Sequence, residues 1–296
     1  MLSTLRQARA ALSHLNPQQV RDLANRTLRV GLIAATDSGY AAMEETLIPA
    51  SAPPNGATAG KKLLFRGDDP VAPPSVDLVL YGEGLRAPKE AYTLDPNDPA
   101  ATLDAILKDH PEYELPLARQ FPGLRREVVD RIIQGIAREN AMFSVATALP
   151  DVIPSFVEMP WAFGEWASDT AFLTANQVRM AFLISAACGQ EIGFGQQKAQ
   201  LLSIGAGAFG WRAIARELAG KIPLGGGLIA KGAIAFAATV LVGKGLEYLH
   251  REQVDFPSEL RKRTYKDALE RGREVTQSWL RKLPAVSSRR SQAASD

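Results

Sequence analysis

The stretch IPLGGGLIAKGAIAFAATVLVG, Ile222 to Gly243, decides how this chain is read. Its 22 residues hold one charge, Lys231, and are flanked by Lys221 and Lys244. A helix of about 20 residues crosses the roughly 30 Å hydrocarbon layer of a bilayer, so the run is long enough to do so. Yet it opens on Pro223 and three glycines and is diluted with alanine. Two readings follow: a lipid-facing helix whose Lys231 snorkels to the interface, or a core hairpin of a water-soluble bundle. Gly205, Gly207 and Gly210, with Gly232 and Gly243, would let helices approach closely in either setting.

Outward from this run the chain is helical on both sides. Upstream, Val128, Ile132, Ile136 and Phe143 form one side of a helix expected over Leu124 to Ala148, which Pro150 and Pro154 end. Further helices are expected at Ser155 to Trp166, Asp169 to Cys188 and Gln196 to Ala219, with another over Leu228 to Arg251. Gly189 and Gly220 stop two of them. Downstream, a charged helix starts at Ser258 and carries Tyr265, Ala268, Leu269, Val275, Trp279 and Leu283 on one side. Its eight Lys or Arg against four Asp or Glu suit an anionic lipid surface as well as plain solvation.

The N-terminal third reads differently. Leu2 to Leu15 has helical spacing, and Asn16-Pro17 caps a short helix through Ala24. Leu28 to Ala34 and Val76 to Tyr81 are apolar runs of strand length, as in a parallel sheet buried on both faces. Thr36 to Leu47 enters a helix, and Ile48 to Pro74 is expected to be loop with a short strand at Lys62 to Phe65. Arg86 to Asp98 is loop again, Asp98 caps a helix over Pro99 to Leu107, and a last strand is expected at Leu115 to Arg119. The fold class is therefore α+β in several parts. N-terminal helices take 1–26, a small P-loop-like α/β domain 27–122, and an all-α, Gly/Ala-rich domain 123–256. A basic amphipathic helix takes 257–284 and a tail without fixed structure 285–296.

Composition excludes several functions. A formal net charge of +2 gives no general affinity for nucleic acid. One cysteine, Cys188, excludes an internal disulfide framework, and His14, His110 and His250 stand in no ligand spacing, so neither metal nor cofactor is expected. The N-terminus has no continuous apolar signal region. A P-loop requires G, four residues, then G-K-[ST]. With Gly39 as its second glycine, Ala34, Tyr40 and Ala41 stand at the first glycine, lysine and hydroxyl positions, with Asp37 and Ser38 between them. The loop is degenerate, and no catalytic residue is expected in it.

Polar residues in the apolar region have two readings each. Glu158, Glu165 and Asp169 are spaced to share a helix face, but without an E-x-x-H motif they are read as caps and ion pairs rather than a metal site. One of the glutamates is expected to pair with Arg179, near Gln177. Cys188 is read as a small buried side chain rather than a nucleophile.

Three strings in order carry a family resemblance: the proline-bounded Ala148 to Pro154, Leu173 to Met180 ending at Gly189, and Ile222-Pro223 through Gly243 to Tyr248. From about Asn140 to Tyr248 the chain resembles the YcjF-type domain of unknown function, a helical, membrane-linked bacterial family that accompanies GTPase-like domains. The resemblance implies no catalytic residues, and the upstream GTPase motifs are eroded. The expectation is a non-enzymatic interaction protein with a pseudo-GTPase-like module, at the cytoplasmic face of a bacterial membrane, binding lipid and an unidentified protein partner. Self-association through the glycines is a further expectation. The alternatives are a nucleotide-dependent switch or GTPase-like hydrolase using an unorthodox loop, and a soluble cytoplasmic helical scaffold.

Overall fold

The computed structural model describes residues 16–67, 75–148, 169–197, 227–254 and 256–282. The expected helices over Leu2 to Leu15, Ser155 to Trp166 and Gln196 to Ala219, and the tail, lie outside them.

Helix α1 spans Pro17–Ala24, with Asn16 accepting the Gln18 N–H and Pro17 in the first turn. Strand β1, Val30–Ile33, turns at Thr36 into α2, Asp37–Leu47. Helix α3, Pro54–Lys61, and strand β2, Leu64–Arg66, follow. Then come β3, Leu78–Tyr81, and β4, Tyr92–Thr93. The four strands form a parallel sheet in the order β2-β1-β3-β4, with Val30 opposite Leu64 on one side and Leu78 on the other. Central β1 buries Val30, Gly31 and Leu32, which is why its sequence is apolar without alternation.

Helix α4, Pro99–Asp109, starts as its capping aspartate requires, for the Asp98 carboxylate accepts the Ala101 N–H. The strand expected at Leu115 to Arg119 is instead helix α5, Glu114–Gln120. Its four consecutive buried residues, Leu115 to Ala118, look like a strand in sequence. Pro116 falls in the first turn, where a missing N–H costs no helical hydrogen bond. The fourth strand is Tyr92–Thr93, inside a stretch read as loop, and α3 likewise occupies a stretch read as loop. Two residues are too few to display a period. Glycine and alanine hide α3, whose Gly60 abuts the Gln120 carbonyl oxygen so closely that a Cβ would lie 2.5 Å from it.

Four long helices complete the described chain: α6, Arg125–Ala146; α7, Asp169–Ala187; α8, Gly227–Glu252; and α9, Ser258–Lys282. Helix α8 packs on α6 and α9, and α7 on α6 and α8. Val128, Ile132, Ile136 and Phe143 are all buried, as their spacing required. One connected buried cluster runs from Ala24 and Leu28 through the sheet residues to Val178, Phe236 and Ala268. Among the described residues this cluster includes side chains from both sides of Pro122. The turn before α6 is seated on α2, Gly123 lying against the Thr46 carbonyl.

Candidate functional site

In open parallel sheets ligands sit at the carboxyl ends of the strands, where the order reverses. Here that place is the β1–α2 loop beside Gly82. The loop closes on itself: the Thr36 hydroxyl accepts the Gly39 N–H at 3.1 Å and lies 3.0 Å from the Ser38 hydroxyl. The backbone donor that a phosphate would use is therefore taken by a side chain. Tyr40, at the position a P-loop gives to lysine, is buried, and the Arg66 guanidinium lies 5.0 Å above its ring. Arg66 in turn binds Glu44 at 3.1 Å and approaches Asp37 at 3.5 Å. Two carboxylates thus hold the guanidinium nearest the loop. Ala34 lies at the strand end 3.1 Å from where a Gly39 Cβ would stand, and Ala41 is exposed on α2.

The second concentration of polar groups joins three helices. Asn140 on α6 donates from Nδ2 to the Thr239 hydroxyl on α8 at 2.9 Å, and Thr239 donates to the Ala235 carbonyl. Asn176 on α7 donates to Asn140 Oδ1 at 2.9 Å. Beside them Arg179 holds both carboxylate oxygens of Glu139 at 2.9 Å. Arg179 was expected to pair with Glu158 or Glu165, which lie outside the described residues; among the described residues it holds Glu139. Gln177 is buried on α7, and Asp169 is the first residue of that helix. Such a satisfied chain of hydrogen bonds fixes helix register, since any slip would strand buried polar atoms.

A third cluster fastens the end of α7. Gly189 adopts a left-handed φ of +77°, and the Gln190 N–H reaches back to the Ser185 carbonyl. Arg125 donates to the Ala187 carbonyl at 2.9 Å, and Arg119 donates to those of Ala186 and Gln190. These guanidiniums complement the negative end of the helix. Burial pushes the Cys188 thiol up to about 11, although Arg125 pulls the other way. The His250 ring lies 3.2 Å from the Ser185 hydroxyl, and burial, with Arg125 adding, holds it below the usual imidazole range. Ser185 is wholly buried and His250 half-buried.

The expected packing glycines divide. Gly205, Gly207 and Gly210 lie outside the described residues. Gly232 is buried against Thr276 of α9, and Gly243 against Ile133 of α6 and Met180 of α7. Both serve contacts within one chain. Lys231 donates to the Thr147 hydroxyl at 3.3 Å. Lys244 binds Asp130 at 3.0 Å and Glu247 at 2.8 Å. Burial draws its ammonium down, but these carboxylates together outweigh burial and leave it above its usual range. Trp279 is half-buried on α9. Among the described residues no cluster of three or more His, Cys, Asp or Glu side chains could hold a metal ion.

Sequence reasoning missed Arg66, Glu139, Asn140, Asn176 and Thr239. An asparagine inside an apolar helical period was the available sign for two of them, because burial demands a partner. A scan of protein-family models matched none to this chain, and searches of curated proteins and of solved structures gave no match.

Proposed function

We propose that this is a non-catalytic docking protein that meets a membrane surface through α8 and α9 and binds a protein partner beside its small parallel sheet. The observation that carries the reading is the less buried side of α8. Ile234, Ala238, Val242, Gly245 and Leu249 recur there at helical spacing, half-buried, and no charge interrupts them between Lys231 and Lys244. Helix α8 is long and apolar enough to cross a membrane, with 44% of its most apolar window buried in the protein. Its bond to α6 through Thr239 favours peripheral contact, since the hydrocarbon of a bilayer cannot replace Asn140 as a partner. Non-catalytic action is supported by the self-closed Thr36 loop and by the two carboxylates on Arg66.

The test is fractionation of cells expressing the full chain, with an alkaline carbonate wash of the membrane pellet. Recovery in the pellet and release by the wash are expected. Retention after the wash would replace peripheral contact by insertion. Recovery wholly in the soluble fraction would end the membrane reading in favour of a soluble scaffold, which the same Asn140–Thr239 and Lys244–Asp130 contacts also suit.

A further inference from the structure

We infer that the turn joining α8 to α9 enters an anionic phospholipid surface, with exposed Val254 and Leu260 reaching between the headgroups while the arginines and lysines around them bind the phosphates. This rests on the membrane contact proposed above and deepens it by naming the point of entry and the lipid.

The two helices form an antiparallel hairpin: Gly232 meets Thr276 and Gly272 meets Ala233 at one end, and Gly245 faces Phe256 at the other. The turn starts at Gln253, which alone among the described non-glycine residues holds a left-handed φ, 58°. A residue with a Cβ adopts that conformation at a cost. Its N–H and its Nε2 donate to the Leu249 and His250 carbonyls at 3.0 and 3.1 Å. Phe256 folds inward, its ring 5.4 Å from that of Tyr248. Val254 and Leu260 stay out, 54% and 41% exposed, and are two of the four exposed large apolar side chains among the described residues. On α8 the half-buried apolar row that begins at Ile234 runs to Leu249, in the last turn of the helix.

Charge decides what covers these two side chains. Between Arg251 and Lys266 the cations Arg251, Arg261, Lys262, Arg263 and Lys266 stand against the carboxylates Glu252, Asp255 and Glu259. All five cations are exposed. In the next turns of α9 the balance reverses, with Asp267, Glu270 and Glu274 against Arg271 and Arg273. Arg281 and Lys282 stand at the far end, with no exposed large apolar side chain beside them among the described residues. Only the tip therefore joins exposed apolar groups to an excess of cations. Arg261 and Lys266 have no ion pair among the described residues. The pairs Lys262–Glu259 and Arg263–Asp267 are exposed on both sides, and surface pairs of that kind hold a side chain weakly, so a phosphate can replace the carboxylate. An anionic bilayer offers both halves of the match: acyl chains for Val254 and Leu260, phosphates for the cations. A protein groove would have to desolvate the charged ring, which headgroups leave in water.

The experiment pellets the full chain with sucrose-loaded vesicles of phosphatidylcholine alone, or of phosphatidylcholine and phosphatidylserine at about three to one. The mixed vesicles should bind about tenfold more tightly or better. Val254→Ser combined with Leu260→Ser, and separately Arg261→Gln combined with Lys266→Gln, should each weaken that binding by about tenfold. All four side chains are exposed, so neither pair should move the thermal midpoint. In a Cys188→Ala background, a nitrobenzoxadiazole dye on Val254→Cys should shift its emission to the blue on mixed vesicles. The same dye on Ser278→Cys, about 30 Å along α9 from its start, should not. Pelleting that survives both pairs, or a blue shift at position 278 and none at 254, overturns the tip while leaving membrane contact along the flank of α8 standing. Equal pelleting with the two vesicles overturns the anionic lipid. Self-association lost with the serine pair while vesicle binding is unchanged assigns the tip to a second copy of the chain. Pelleting with neither vesicle overturns this inference together with the membrane reading.

Discussion

The Asn140 amide and the Thr239 hydroxyl, 99 residues apart in sequence, meet at 2.9 Å in the interior and hold α6 to α8. Thr239→Val keeps the shape and removes the acceptor, stranding a buried N–H. The expected loss is about 1–3 kcal/mol in urea unfolding. Because the two residues are coupled, Asn140→Leu and Thr239→Val together should cost less than their sum by about 0.5 kcal/mol or more. Strict additivity in the double-mutant cycle would show that the bond contributes no pairwise stability.

Glycine substitutions should separate by what each new Cβ meets. At Gly272 it would lie 2.9 Å from the Ala233 carbonyl oxygen, which is backbone and cannot turn aside. At Gly232 it would lie 2.6 Å from the hydroxyl and 2.7 Å from the methyl of buried, β-branched Thr276, so neither branch clears by turning, whereas at Gly245 it would meet only Phe256 at 3.7 Å. Gly272→Ala and Gly232→Ala should therefore each cost about 1–3 kcal/mol through overpacking, and Gly245→Ala less. Thermal unfolding of the three variants checks the order, and Gly232→Ala or Gly272→Ala proteins as stable as Gly245→Ala would refute the close α8–α9 crossing.

Acid should weaken the protein through His250. Its pKa is lowered in the fold, so the unfolded chain binds the proton more readily, and stability is fully present above the unfolded value of about 6.5. It should fall as pH drops from there through the folded value. His250→Gln, which keeps a partner for Ser185, should flatten that part of the profile. A slope in urea unfolding between about pH 6.5 and 5 that is identical in both proteins would place the acid sensitivity elsewhere.

Cys188 should resist alkylation in the native state. With its thiol pushed up to about 11, little thiolate exists at pH 8. Iodoacetamide labelling followed by mass spectrometry should be slow in buffer and accelerate sharply in denaturing urea. Comparable rates in the two conditions would mean that the end of α7 opens freely.

How much was legible follows from how local each cause is. Helix α6 was readable because Val128, Ile132, Ile136 and Phe143 repeat with the turn of the helix that buries them. The caps at Asn16, Thr36 and Asp98 act within three residues of themselves. α5 was misread as a strand because a short run buried on all sides has no period. β4 escaped because its place is set by pairing with Leu80 and Tyr81, not by its own two residues. The absence of lysine at Tyr40 could be read directly, but that Arg66 comes to cover it depends on where the parallel register sets the end of β2.

By itself, then, the sequence determined the periodic helices, the central strands, their caps and breaks, and a loop without P-loop chemistry, all of which depend on neighbours a few residues away. Tertiary structure alone decided that Arg179 meets Glu139 and Asn140 meets Thr239. It also decided that Gly232 and Gly243 serve contacts within the chain, while a Cβ on Gly135 would meet nothing within 4 Å. Glycine carries the same label wherever it stands. Only the packing of distant helices determines whether the space it leaves is filled.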